Sequence, residues 1–386
     1  MRDNVLTNAT LHIGSISQSP TATHPIDLSR SIPPMPPLFT PMLQRTLARL
    51  AARDDIGLLS RNSLAGGTAV DREAARLWLR SRLKEPPDNR LIVTNGTQGA
   101  LLLLFEALVG QGGLLAAEAL SYGVLPQLAA RAHIRVCSLD LDADGIEPSS
   151  FELTCKTHRP RALYCNPTVH NPTAIMMPAE RRKTIAEIAR RHAVTIIEDE
   201  PLGCLHPEAP PPMAMIAPDI TWYIAGLTKG LAHGFRVAYV VGPTAVETQA
   251  VATGANRLSY WFPSPVSTAI VNDWIVSGVA DRVRNAISAE AACRQQLAEE
   301  ILGNHDLAIQ PGGLHAWLSL PPGLDRRNFA QVLARDRVLV RPSDAFAIEP
   351  ERNHANAIRI SLSGPLDRGE VEKGLRIIAS ALEGRA

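Results

Sequence analysis

Apolar residues along this chain fall into two rhythms that alternate. Leu91–Val93, Arg161–Cys165, Val194–Ile197, Trp222–Ala225 and Val237–Val241 are short, nearly continuous apolar runs, the pattern of strands buried on both faces. Between and before them, Asp71–Leu83, Gln98–Val109 and Ala179–His192 carry apolar residues at helical spacing. Strands alternating with helices predict an α/β fold, a three-layer large domain with a mainly parallel sheet. From about Val266 to Leu302 the pattern is almost continuously helical. Beyond it, Trp317–Leu318, Val338–Val340 and Ile358–Leu362 read as strands of a smaller α+β C-terminal domain. At the other end Pro33, Pro34, Pro36, Pro37 and Pro41 lie close together. Each proline removes a backbone donor and restricts φ, which predicts an extended arm. The resulting division is an arm over 1–45, a large domain over 46–280 and a small domain over 281–386.

Composition narrows the function classes. Lys+Arg at 39 against Asp+Glu at 38 leaves a formal charge of +1, which argues against a nucleic-acid partner. Five scattered cysteines without CxxC spacing indicate neither a disulfide framework nor a zinc cage, and a reducing compartment is expected. The N-terminus lacks the basic run and apolar core of a secretory signal. The best apolar stretch, Ala100–Val109, contains Glu106 and is too short to span a bilayer. A soluble, cytoplasmic protein without a membrane partner is the expectation. Tyrosine is scarce: Tyr122, Tyr164, Tyr223, Tyr239 and Tyr260 are all there are.

Four segments carry candidate chemistry. Val93-Thr-Asn-Gly-Thr-Gln-Gly99 lies at a strand-to-helix junction, where free amides and a close-approach glycine make a phosphate cradle; an ordinary helix cap is the simpler alternative. Pro167-Thr-Val-His-Asn-Pro-Thr173 can present an asparagine amide to a ligand, or can be an Asn-Pro turn. In Ile196-Ile-Glu-Asp-Glu-Pro201 the acids end a buried strand, where open α/β sheets place their ligands; a cation partner, a metal ligand and a helix cap all remain open. Ala225-Gly-Leu-Thr-Lys-Gly-Leu-Ala-His-Gly-Phe-Arg236 sets Lys229 after a buried strand, among glycines, with an arginine following. Desolvation can depress such a lysine into a nucleophilic amine, whereas a surface lysine is the ordinary reading.

The order of these segments resembles the fold-type I pyridoxal-phosphate enzymes, the class I/II aminotransferase family. The nearest look is to the aminotransferase-like domain of MocR-type regulators and to aminoadipate/kynurenine-type aminotransferases. Ile26-Asp-Leu-Ser-Arg-Ser-Ile-Pro33, Gly312-Gly-Leu-His-Ala-Trp317, Val340-Arg-Pro342 and Ile358-Arg-Ile-Ser361 extend the likeness over nearly the whole chain. The resemblance implies pyridoxal 5'-phosphate as cofactor and an aminotransferase acting on an α-amino acid and a 2-oxo acid. It assigns Lys229 to the Schiff base, Asp199 to the pyridine nitrogen, Asn171 to the phenolic oxygen and Tyr122 to the ring face. Gly96, Thr97 and Gln98 with Arg236 would hold the phosphate, beside the hydroxyl of Thr228, and Arg359 would take the substrate α-carboxylate. A homodimer with shared active sites is also implied.

The chain departs from the family pattern in places. Leu202 stands where a tyrosine is common, Gly226 where a serine is common, Ala174 for a glycine and His233 for a frequent proline. Asn62 lies where relatives supply a tyrosine to the neighbouring subunit. His170, His315 and Asn62 are candidate pocket residues or structural ones. Tyr164, Tyr223 and Tyr239 are expected in the core. Alternatives within the resemblance are a lyase, decarboxylase or cyclase using the same cofactor. A non-catalytic sensing domain like that of MocR-type regulators is the alternative of another class. Only about 25 residues precede the family-like segment, fewer than a typical winged-helix domain needs.

Overall fold

A computed structural model of the chain describes residues 24–384, apart from 62, 63, 85, 353 and 354. Asn62 therefore lies outside the described residues. Seven strands make the central sheet: β1 (Leu91–Thr94), β2 (Leu114–Glu118), β3 (Arg135–Leu139), β4 (Ala162–Cys165), β5 (Thr195–Asp199), β6 (Thr221–Gly226) and β7 (Ala238–Val241). Their spatial order is β1-β7-β6-β5-β4-β2-β3. Pairing is parallel from β6 through β3, and β7 alone runs antiparallel, between β1 and β6. This is the mainly parallel α/β sheet that the alternating pattern predicts. Its central strands are buried along their whole length, as strands covered by helices on both faces must be. One apolar cluster packs Trp78, Tyr223, Tyr239 and Trp274 against one face; another packs Leu101, Phe105, Trp222 and Trp261 against the other.

A second sheet of four strands, β8 (Leu307–Ile309), β9 (His315–Ser319), β10 (Arg341–Pro342) and β11 (Ala357–Ser361), is antiparallel in the order β8-β9-β11-β10. It shares an apolar core with the helices Val279–Leu302 and Arg368–Glu383 through Leu302, Leu318, Ile360 and Leu375. The N-terminal residues join this unit. Ile26–Asp27 pairs in parallel with Val338–Leu339, and Ser361 donates its amide to Leu28 O at 2.7 Å. Anchored in this way, the next residues, Ser29–Ile32, cross over the cavity between the two sheets.

Three differences from the sequence reading have local causes. A helix occupies Phe39–Ala51, inside the stretch whose prolines predict extension. Pro41 is its third residue, where the missing N–H has no intrahelical acceptor to lose. The long helical stretch after Val266 is broken at Gly278, whose φ of +75° ends one helix at Val276 and starts the next at Val279. The third difference is two strands that apolar runs do not reveal. Leu-Leu-Ala-Ala-Glu (β2) is built of good helix formers, and Arg-Val-Cys-Ser-Leu (β3) is interrupted by polar residues; their strand state comes from pairing with neighbours and not from local preference.

Candidate active site

The ends of five strands of the large sheet, β1, β2, β4, β5 and β6, converge on one cavity of about 260 Å³. Of the residues singled out from sequence, Thr97, Gln98, Tyr122, Asn171, Asp199, Thr228, Lys229, Arg236 and Arg359 all line it. Gly96 stands just behind, with φ at +74° and the Arg236 backbone 3.6 Å from where a side-chain carbon would project. Segments that are more than 250 residues apart in sequence thus form one site. His315 and Leu202 also line the cavity.

The first wall is β1 and the helix Gly96–Leu104 that follows. This helix N-terminus leaves amides without intrahelical partners, a ready anion site. Gln98 Nε2 donates to Tyr122 Oη at 2.9 Å, which orients the tyrosine over the cavity. Gly226 faces the same helix: a carbon built onto it would lie 2.5 Å from Thr97 Oγ1. The Thr97 hydroxyl occupies the space that a serine at position 226 would need.

The second wall is the Asp199 cluster. Asp199 ends β5, buried, and it caps no helix. Its Oδ2 accepts from Tyr164 Oη at 2.9 Å, and its Oδ1 has no hydrogen-bond partner. Burial pushes the Asp199 carboxyl up to about 7, with the Tyr164 hydrogen bond pulling the other way. Asn166 ties the neighbourhood together. Its Nδ2 donates to Asp199 O at 2.6 Å, its Oδ1 accepts from Asn171 N at 2.8 Å, and its own amide donates to the Glu118 carboxylate at 3.2 Å. Sequence reasoning missed Asn166 and took Tyr164 only as core. The available signal was position: both belong to the strand Ala162–Cys165 and its end, next to Asp199 in the sheet. Tyr223 and Tyr239 are buried in the core as expected. His170 does not line the cavity; it is buried against Glu118 and Thr173, with Nδ1 2.7 Å from Thr173 Oγ1.

Lys229 follows β6 on a turn whose next residue is held tightly. A side-chain carbon on Gly230 would press into Cys204 Sγ and stand 3.2 Å from the Trp78 ring. Lys229 Nζ donates to Ser31 O of the crossing N-terminal segment. Burial draws the Lys229 amine down to about 7, and the Arg359 guanidinium pushes the same way, against a weaker pull from Asp199. An amine in that range is about half unprotonated at neutral pH, and the unprotonated form is the one that attacks a carbonyl.

Arg359, in β11, is buried and donates Nη1 to Asn171 Oδ1 and Nη2 to Ser29 O, each at 2.7 Å. Its Cζ lies 4.8 Å over the Phe346 ring, and its Nε has no partner. Burial, then neighbouring Arg341, pushes its pKa down, so an anion here would relieve a charge that the protein does not neutralise. His315 is pressed down to about 3, chiefly by burial, and its Nε2–H donates to His170 O at 3.1 Å. It is a neutral wall residue. Among the described residues no group of His, Cys, Asp and Glu could hold a metal ion, the five cysteines are free, and no helix is long and apolar enough to cross a membrane.

Comparison with known proteins places this geometry. The family model described as aminotransferase class I and II matches residues 49–378. An uncharacterised HTH-type transcriptional regulator of Bacillus subtilis, YdeF, is 26% identical over 364 residues, covering 94% of this chain and 77% of the relative. The 2-aminoadipate transaminase of Thermus thermophilus is 25% identical over 362 residues, 91% of this chain and 88% of that one. Among solved structures, a kynurenine aminotransferase of Pyrococcus horikoshii superposes with a TM-score of 0.83 at 20% identity, covering 94% and 92% of the two chains. At that identity the likeness is one of fold.

Proposed function

Since the chain belongs to the aminotransferase class I and II family, whose cofactor is pyridoxal 5'-phosphate, we propose that this cavity moves the amino group of an α-amino acid to a 2-oxo acid, with Lys229 as its reacting amine. The observation that carries the reading is the pairing across the cavity. A partly buried lysine with a depressed pKa faces a buried aspartate whose Oδ1 has no partner. That orphaned oxygen fits a protonated ring nitrogen, which would return the carboxyl to its charged form.

In this reading the helix N-terminus at Gly96–Gln98, Thr228 and Arg236 hold the phosphate, Tyr122 covers the ring face, and Asn171 holds the phenolic oxygen. Lys229 would hold its aldehyde carbon. When bound, pyridoxal phosphate acts as an electron sink that acidifies the substrate Cα–H. Arg359 takes the α-carboxylate with its planar fork, which orients Cα toward Lys229. Lys229 Nζ, as a free amine, would be the base that removes the Cα proton. Tyr164 and Asn166 keep Asp199 in place. Ser29–Ile32 lies over the cavity and shields it from water. Leu202 offers no hydroxyl where a second bond to the phenolic oxygen would form, which leaves Asn171 to hold that oxygen without help from this position.

A homodimer is part of the proposal. Leu64, Val70 and Val276 are exposed apolar residues around a groove that also includes Pro263 and Pro265, the kind of patch a second subunit covers. A ligand-sensing role is the second reading, favoured by the regulator among the relatives. Multiple-turnover formation of 2-oxo acid by the pyridoxal-phosphate-loaded protein, lost in Lys229→Ala, supports the enzyme. Amino-acid binding with no turnover across a panel of amino acids supports the sensor.

A further inference from the structure

Three more buried carboxylates lie around Asp199: Glu118 at the end of β2, and Glu198 and Glu200 on either side of it in sequence. Two of them have arginines at hand. Glu200 meets Arg82 at 2.7 Å, with both side chains buried, and also accepts from Thr168 Oγ1 at 2.5 Å and from Tyr223 Oη. Glu198 accepts the amides of Met213 and Ala214 at 2.9 Å, with Arg182 3.8 Å away. Glu118 has no arginine or lysine partner among the described residues. Its carboxylate is buried and accepts from Asn166 N at 3.2 Å; only His170 Nε2, 3.4 Å away, could offset its charge. Leaving a buried carboxylate without a fixed cation is costly, and the reading above gives Glu118 nothing to do.

Position decides what that charge reaches. Ala117 pairs with Tyr164 in the sheet, which sets Glu118 beside the end of β4. Asn166 links the two acids there: its amide donates to Glu118, and its Nδ2 donates to Asp199 O at 2.6 Å. Tyr164 Oη closes the same cluster on Asp199 Oδ2 at 2.9 Å. In so dry an interior a fixed charge is weakly screened. After burial, Glu118 contributes most to holding a proton on Asp199, ahead of Glu200, against the pull of the Tyr164 hydrogen bond and of Lys229. Burial, then Asp199 and Glu118, also keep the Tyr164 hydroxyl in its protonated, donating form. Cys165, the other titratable group that feels Glu118, is a thiol kept neutral chiefly by burial.

We propose that Glu118 is a positioning residue: its fixed negative charge, felt at Asp199 across Asn166, strengthens the hold of Asp199 on a protonated ring nitrogen. A cation at Asp199 Oδ1 meets the field of two carboxylates instead of one, so it gives up its proton less readily. Glu118 does not line the cavity, and it acts through Asp199 alone. The inference rests on the aminotransferase reading for the ring, whereas the action of Glu118 on Asp199 is testable without cofactor.

The test follows the Asp199 carboxyl by carbon NMR in cofactor-free protein made with isotope-labelled aspartate, the signal being assigned by its loss in Asp199→Asn. Wild type should titrate with a midpoint of about 7. Glu118→Gln keeps an oxygen to accept from the Asn166 amide but removes the charge, and should lower that midpoint by about one pH unit. Glu118→Asp keeps the charge and should stay within about half a pH unit of wild type. His170→Gln removes the cation that could offset Glu118 and should not lower the midpoint. In protein loaded with pyridoxal phosphate labelled at the ring nitrogen, nitrogen NMR should show the ring losing its proton at a lower pH in Glu118→Gln than in wild type. An unmoved Asp199 midpoint in Glu118→Gln overturns the inference. So does a fall of about one pH unit in Glu118→Asp or His170→Gln, which would make packing and not charge the cause; these two variants decide the matter even if Glu118→Gln does not fold. A Glu118-dependent Asp199 midpoint in a protein that turns over no amino acid upholds the action of Glu118 while sinking the aminotransferase reading. Turnover with an Asp199 midpoint indifferent to Glu118 does the reverse.

Discussion

At the scale of single residues, the site depends on charged groups held where charge is costly. Asp199 in the unfolded chain titrates near the ordinary 3.8, but in the cofactor-free fold near 7. Between those values the native state holds a proton that the unfolded chain has lost, so this residue lowers stability as pH rises through the window. Cofactor-free Asp199→Asn should therefore melt at a higher temperature than cofactor-free wild type at pH 8 and show no gain below pH 4, while turnover of the cofactor-loaded variant falls by about 10²- to 10⁴-fold. Lys229 works in the opposite sense. Its native value near 7 lies below the usual 10.5, so the unfolded chain binds more protons in between, and stability rises with pH across that range. Cofactor-free Lys229→Met should gain stability at pH 6 and lose that gain above about pH 10.5, as scanning calorimetry would show. Lys229, Asp199 and Asn171 stand out in the sequence because each lies at a predicted strand end or turn, whereas Arg359 is singled out by the family resemblance alone. Tyr164 and Asn166 do not stand out, since a buried strand tyrosine looks the same in sequence whether or not its hydroxyl reaches a carboxylate. Tyr164→Phe removes the hydrogen bond to Asp199 Oδ2, worth about 1.5–3 kcal/mol when the acceptor is charged. We expect kcat/KM to fall roughly 10-fold or more, with a shift in its pH profile that a merely packing role for the ring would not produce.

At the scale of elements, the turn after β6 sets where Lys229 points. Gly230 has no room for a side-chain carbon between Cys204 and Trp78, so Gly230→Ala must displace the turn or its neighbours. A loss of about 1–3 kcal/mol is expected from overpacking, read as a lower denaturation midpoint together with a drop in kcat. Normal activity in Gly230→Ala would show that the turn tolerates movement and is not what positions the lysine. The strands legible in advance were those with uninterrupted apolar runs, β1, β4, β5, β6 and β7, and these are the ones that bear most of the site. β2 and β3 are not legible in this way because their alanines, serine and arginine carry no strand preference of their own; pairing of β2 with β4, and of β3 with β2, makes them strands. The helix Phe39–Ala51 was hidden for a different reason, since a proline in the first turn is compatible with both an arm and a helix start.

At the scale of the whole molecule, the N-terminal segment, the large sheet and the small sheet meet at one cavity, and no single unit could build it. The strap Ser29–Ile32 contacts both Lys229 and Arg359 because Ile26–Asp27 is paired into the C-terminal unit; the alternation of strands and helices announces two layered units but says nothing of that pairing. Light scattering should give about twice the 41.7 kDa chain mass, and Val70→Glu with Val276→Glu, on the exposed apolar groove, should return it to the single-chain value. The central claim, that Lys229 carries pyridoxal phosphate in a working site, is met most directly by the visible absorbance of the purified, cofactor-loaded protein before and after addition of amino acids. Wild type should show the band of a lysine-bound cofactor that survives gel filtration and changes when a substrate amino acid is added. Lys229→Ala should lack that lysine-bound band and form no 2-oxo acid over many turnovers. A wild-type protein without such a band, or a Lys229→Ala protein that keeps both the band and the turnover, would contradict the account.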